Sequence, residues 1–375
     1  MPVFDRYMIR NLLIATVFTA ATLSVVILLT QSLRFLELVI EAGASSAAFW
    51  VLTLLALPRF FEVLVPIALV AAVLFIYSRM ISDSEIVVMR SIGASPFSLS
   101  RPAVILALLV SLFLMAMTLW VAPKSLSSMQ EMRQEVKAQF SALLFREGVF
   151  NQVGNGLTLY IRDKGSDGEM LGIMIHDARE KGKNPSTILA KRGNLLIDES
   201  GYEVIVYDGS RQEYDPQRKV MSRLNFDRYV IDLPDSDPVR QRWQEPDERT
   251  VFELLNPDMS NERDVENLRE FRVELHKRVL SPLLSVTFTV IGCAVLLLGS
   301  LDRRGQVKRI ILAVVIVVAL QGAFITLYNM ARNYDVGLYL LYALVFVPMG
   351  AALFLLSAAG EKTRRKIMAK PEAQL

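Results

Sequence analysis

Charge is distributed along this chain in a way that few folds tolerate. Residues 124–278 carry 24 Lys/Arg and 28 Asp/Glu, whereas the other 220 residues carry only 17 and 10. The formal net charge of +3 therefore combines a mildly acidic block with two basic, apolar flanks. A single soluble domain does not segregate its charges this way, and a nucleic-acid binder is far more basic. The pattern is that of a membrane protein with a large hydrophilic insert. Six apolar segments, at 11–32, 51–77, 102–123, 279–300, 308–328 and 337–358, match the roughly 20 helical residues that cross a hydrocarbon core of about 30 Å. The first lacks a small-residue cleavage site after its apolar run, so it reads as a retained span and not as a signal peptide.

Basic residues in short loops set orientation. Fourteen of the 17 basic residues outside the polar block fall on one side: Arg6, Arg10, Arg79, Arg90, Arg101, Arg303, Arg304, Lys308, Arg309 and five in the tail. Arg34, Arg59 and Arg332 fall on the other. The expected domains are spans one to three in 1–123, an exported block in 124–278, spans four to six in 279–360 and a basic cytoplasmic tail in 361–375. Both termini are then cytoplasmic.

Within the block, 124–145 reads as a helical extension of the third span. After Gly148 the apolar period changes to two, at 157–162, 172–176, 187–191, 194–198, 202–207 and 223–232. Turn residues separate these runs, which predicts short antiparallel strands in a sandwich or open barrel. One strand face is apolar: Leu157, Leu159, Ile173, Ile175, Leu195, Ile197, Val204, Val206, Leu224 and Phe226. Alternation leaves open whether that face is a closed core or a groove. Helical signals resume at 260–265 and lead through Leu268, Phe271 and Leu275 into the fourth span.

Chemistry of its own is not expected. The chain lacks GxxxxGK[ST], HExxH and GxSxG, and no cofactor or metal site is expected from its single cysteine, Cys293, and two histidines. Glu62 is the one acid well inside a span, and Arg59 at i−3 is expected to neutralise it. The loop between spans two and three says more. Ser82 and Asp83 are expected to cap a short helix within 82–95, with Glu85 in its first turn and Gly93 and Pro96 ending it. Ile86, Met89 and Ile92 share a face, with Val87 and Arg90 beside them. Such a helix suits either a partner's groove or the lipid interface. Arg34, Arg59 and Arg332, with Lys124, Lys277 and Arg278 flanking the insert, either snorkel to the interface or form a phosphate-binding ring.

Four stretches carry a resemblance: AspArgTyrMetIleArg (5–10), SerGluIleValValMetArgSerIleGlyAlaSer (84–95), TrpValAlaProLys (120–124) and GluLeuHisLysArgValLeuSerProLeu (274–283). The chain resembles the lipopolysaccharide-export permeases (the YjgP/YjgQ family). ArgGluGlyValPheAsn (146–151) and PheAspArgTyrValIleAspLeu (226–233) resemble its LptF branch more than its LptG branch. The resemblance implies an α-helical inner-membrane subunit with six transmembrane helices and a periplasmic β-jellyroll between helices three and four. Its implied partners are an LptG-like paralogue, two LptB-like ATPase subunits, an LptC-like membrane protein and a periplasmic LptA-like bridge. ATP hydrolysis belongs to the partner.

On the same resemblance, Glu85, Ile86, Met89 and Arg90 belong to a coupling helix seated in the ATPase. The substrate cavity is formed mainly by the first and fifth helices. Arg34 is the best match to a basic contact for lipid phosphates, and Arg59, Lys124, Arg278 and Arg332 are further candidates. Acyl chains would pass to the apolar strand face. The alternatives from other functions are an ABC permease for another lipid or lipoprotein, and a non-transporting scaffold with a periplasmic binding domain.

Overall fold

The computed structural model describes residues 3–41, 45–143, 147–152, 156–165, 169–179, 185–198, 201–215, 219–232, 243–298 and 306–360. Ten α-helices and six strands lie among them. Six stretches are long and apolar enough to cross a membrane: Val3–Glu37, Ser46–Ser82, Pro96–Gln134, Leu268–Leu297, Gln306–Asn333 and Asp335–Leu356. They belong to α1 (Val3–Glu41), α2 (Ser46–Ser82), α4 (Pro96–Ala116) with α5 (Ala122–Leu143), α8 (Leu268–Leu297), α9 (Gln306–Asn333) and α10 (Asp335–Leu356). The short helices are α3 (Glu85–Ser91), α6 (Val251–Leu255) and α7 (Glu262–Glu266). Arg303, Arg304 and the basic tail lie outside the described residues.

The chain divides into two compact units, one of Met1–Ser32, Thr53–Ser128 and Gln244–Leu375, the other of Leu33–Leu52 and Met129–Trp243. In the first, α8 is the central helix. Its apolar window is 83% buried, against 11–50% for the other spans, so more of it meets protein than of any other span. It packs against α4, α9 and α10. Side chains of α2 approach it at Gly292, where an added Cβ would sit 3.4 Å from Val70.

Proline shapes this packing. Pro282 inside α8 has no N–H to offer the carbonyl of Arg278 one turn earlier. The hydroxyl of Thr118 takes that place, donating to the Arg278 carbonyl at 3.1 Å. Thr118 lies in the π-helical turn Met117–Val121 that joins α4 to α5. The expected helical continuation of the third span is thus present, with a π turn at the contact.

The second unit contains a six-stranded antiparallel sheet in the order β1-β2-β3-β4-β5-β6. Its strands are β1 (Phe150–Gln152), β2 (Leu157–Lys164), β3 (Met170–Asp177), β4 (Ser186–Asp198), β5 (Gly201–Asp215) and β6 (Val220–Asp232). The order is that of a meander in one antiparallel sheet; among the described residues there is no second sheet to make the expected sandwich, and nothing contradicts the open barrel. The runs at 187–191 and 194–198 are one strand: Gly193 stays in the ladder, paired with Met170 on one side and Val206 on the other. An added Cβ there would lie 2.7 Å from the Ile205 carbonyl, so close strand approach, not a turn, explains this glycine.

Sequence-distant strand ends also meet. The guanidinium of Arg179, just past β3, makes two hydrogen bonds to the Asp177 carboxylate and donates to the Asp232 carbonyl at the end of β6 at 2.7 Å. β3 and β6 are not ladder neighbours, so the sheet curls. The guanidinium holds the Asp177 carboxyl below the usual carboxylate range.

Candidate functional site

Two polar sites interrupt the apolar bundle. The first surrounds α3. Ser84 precedes this helix with φ 65 and makes no side-chain cap. The expected caps are engaged elsewhere: Ser82 ends α2 and donates to Gln306 Oε1 at 3.4 Å, and Asp83 pairs with Arg79 at 3.6 Å. The far end closes as expected at Gly93, whose φ of +95 suits glycine. Its N–H bonds the Arg90 carbonyl and that of Ala94 bonds the Met89 carbonyl, the paired pattern of a Schellman stop.

The apolar face expected for α3 is divided. Ile86 is fully buried and Met89 packs against the helical core, whereas Ile92 is 74% exposed. Arg90 donates to the Leu297 carbonyl at the end of α8, where the helix dipole favours a cation. Ile86, Met89 and Arg90 thus fasten the helix to its own bundle. Glu85, Val87, Val88 and Ile92 are exposed.

The second site lies along α8. Glu274 accepts from Lys277 at 3.3 Å, Arg278 at 3.1 Å and the Tyr328 hydroxyl of α9 at 2.8 Å. Lys277 also pairs with Glu62 of α2 at 3.8 Å and lies over the Tyr328 ring. His276 hydrogen-bonds Tyr342 of α10 at 2.7 Å. Arg278 is 2% exposed, and its remaining donors reach the carbonyls of Pro246, Asp247 and Arg249. Four residues within one helical turn and a half therefore tie α8 to α2, α9, α10 and the 246–249 segment. A buried charge without such partners costs several kcal/mol, about 3–5 when one member of a pair is removed.

The predicted basic residues separate on this geometry. Arg278 is enclosed, with its donors directed inward. Arg59 pairs with Asp247 at 3.2 Å and Glu62 with Lys277, so the expected Arg59–Glu62 pair is replaced by two longer-range pairs. Arg332 pairs with Glu270. Lys124 on α5 and Arg34 on α1 are exposed and make no ion pair among the described residues. In the sheet, Leu157, Leu159, Ile173, Ile175, Val204 and Val206 form one cluster, each at most 2% exposed, with Phe226 packed against it. Leu224 is 61% exposed and lies outside it. Leu195 and Ile197 are in β4, but their side chains lie outside the described residues.

Glu274, Tyr328, Tyr342, Asp247 and Gln306 were not singled out from sequence. Only Glu274 carried a signal, as the first residue of the GluLeuHisLysArg stretch. The others acquire their roles through contacts with residues far away in sequence.

A bundle of membrane-length helices around α8, with an antiparallel sheet inserted between the third and fourth spans, is the architecture of a multi-pass membrane protein. A family model, "Lipopolysaccharide export system permease LptF/LptG", matches residues 6–358. The chain belongs to the LptF/LptG family. It is similar to an uncharacterized protein of Rickettsia prowazekii (strain Madrid E), at 26% identity over 95% of this chain and 99% of that one. It is also similar to the lipopolysaccharide export system permease protein LptF of Escherichia coli K12, at 23% identity over 66% of this chain and 72% of that one. With LptG of the same strain it shares 27% identity over 48% and 49%. Membership of this family and six membrane-length helices make it a multi-pass inner-membrane transport subunit of the lipopolysaccharide export system, not an enzyme.

Proposed function

We propose that this chain is the LptF-type half of an ATP-driven permease that lifts lipopolysaccharide out of the inner membrane. An LptG-like paralogue supplies the other half, two LptB-like subunits bind α3 and its counterpart, and an LptC-like protein joins the complex. Lipid passes to a periplasmic LptA-like bridge. Both termini and α3 face the cytoplasm in this reading, and the β unit faces the periplasm.

The observation that carries it is the construction of α3. A seven-residue helix is too short to hold its shape alone. Ile86, Met89 and Arg90 hold it on the bundle while Glu85 and Ile92 project outward. A partner seated on that exposed edge pushes against a fixed lever. Closure of the ATPase then narrows the cavity between the two permease halves and drives the lipid outward.

Arg34 and Lys124 are each assigned as separate contacts for lipid A phosphates, because each presents an exposed cation without a competing ion pair among the described residues. Arg59 and Arg332 contribute only if their carboxylate partners yield. The curl marked by Arg179 supports a jellyroll closed around the β2–β5 apolar face, which opens to admit acyl chains.

Glu85→Ala is the direct test of α3. Affinity-purified complexes should lose at least tenfold of the bound ATPase, and lipopolysaccharide should remain in the inner membrane. Undiminished ATPase recovery with undiminished lipid release contradicts the assignment and favours a scaffold. Normal lipopolysaccharide export in cells depleted of this protein, with another lipid retained, favours a permease for that lipid.

A further inference from the structure

Gln306 is the first residue of α9 and stands apart from its surroundings. It is 4% exposed, while the next residue, Val307, is 64% exposed. Only 17% of the apolar window of α9 is buried. Its buried residues are Gln306, Ala313, Val317, Phe324 and Ala331, and of these Gln306 alone has a polar side chain. Gln306 Oε1 accepts from Ser78 at 2.8 Å and from Ser82 at 3.4 Å. These serines are one turn apart on a single face of α2, in the last turn before the chain enters α3.

The arrangement forms a short mechanical path. α3 begins three residues after the end of α2, and the intervening turn is closed by backbone bonds from Asp83 to Arg79 and from Ser84 to Ile81. Tyr77, fully buried on the same stretch of α2, donates to the Leu99 carbonyl of α4 at 2.7 Å. Arg90 holds α3 to the end of α8. A displacement of α3 is therefore shared with the last turn of α2. Gln306 joins that turn to α9 through its side-chain amide oxygen.

We infer that Gln306 is the positioning residue through which motion of the ATPase-bound helix α3 is passed to α9. The inference rests on α3 being the ATPase seat. Gln306 touches neither nucleotide nor lipid. It makes the end of α9 follow α2, so that a push on α3 becomes movement of the fifth span and not local flexing of a loop. Two hydroxyls on one amide oxygen give the link direction as well as strength, since both must shift together.

The test is the amount of lipopolysaccharide released per ATP hydrolysed by the reconstituted complex. Gln306→Leu keeps the side-chain bulk and removes the acceptor. The coupling ratio should fall at least fivefold, with ATP hydrolysis within twofold of wild type and the ATPase still bound. Gln306→Glu, which retains an acceptor oxygen, should restore most of the ratio. A Ser78→Ala/Ser82→Ala double variant should reproduce the loss, and it decides the matter if Gln306→Leu does not assemble. An unchanged ratio in the variant that assembles overturns the inference, as does equal loss in Gln306→Leu and Gln306→Glu. If Glu85→Ala leaves ATPase binding intact, the fault lies instead with the assignment of α3.

Discussion

Glu274 receives a lysine, an arginine and a tyrosine hydroxyl in a place almost closed to solvent. Each partner sets a different neighbour, so the carboxylate fixes several helices at once. Arg278 completes the arrangement by holding three backbone carbonyls of the 246–249 segment. Arg278→Met removes the guanidinium from this enclosed position and orphans those carbonyls. Unfolding of the detergent-solubilised protein should show a loss of about 3 kcal/mol. Lys124→Met, at an exposed cation without an ion pair among the described residues, should stay within about 0.5 kcal/mol of wild type. Equal losses in the two variants contradict the structural role assigned to Arg278, and leave it available as a lipid contact.

At the scale of elements, the seam between β3 and β6 has an electrostatic fastening. Arg179 depresses the Asp177 carboxyl below its ordinary value. A carboxylate with a lowered folded-state value adds stability above its unfolded value, and that stability is lost as pH falls through the folded value. The Asp177 contribution is therefore complete near neutrality and disappears below about pH 4. Strand order and fluorescence followed from pH 6 to pH 3 should show Asp177→Asn less stable at pH 6 and less sensitive to acid. An acid response identical to wild type contradicts this fastening.

Elements built from local pattern were legible in the sequence, and those built from distant contacts were not. The six spans follow from apolar length, and the stop of α3 follows from Gly93. The single strand across Gly193 was hidden because a glycine admitted for close backbone approach looks like one admitted for a turn. The caps expected at Ser82 and Asp83 failed because α2 continues through Ser82 to reach Gln306, 224 residues away. Arg59 and Glu62 stand one turn apart, yet each finds a partner from the segment that returns after the sheet. Candidate phosphate contacts could be named from charge alone, but only the ion pairs separate Arg278 and Arg332 from Arg34 and Lys124.

For the whole molecule, family membership establishes a permease subunit of lipopolysaccharide export, and the structure suggests how one such subunit is driven. The chain presents an exposed acid on a well-held helix, a central span joined to its neighbours by charge, and a sheet face with a buried apolar cluster. The most direct measurement places the complex with its LptG-, LptB- and LptC-like partners in lipopolysaccharide-loaded proteoliposomes with a soluble β-jellyroll acceptor outside. Lipopolysaccharide should appear on the acceptor only when ATP is hydrolysed, and Glu85→Ala should abolish that appearance. Transfer at the same rate without ATP, or undiminished ATP-dependent transfer by Glu85→Ala, would contradict a permease driven through α3.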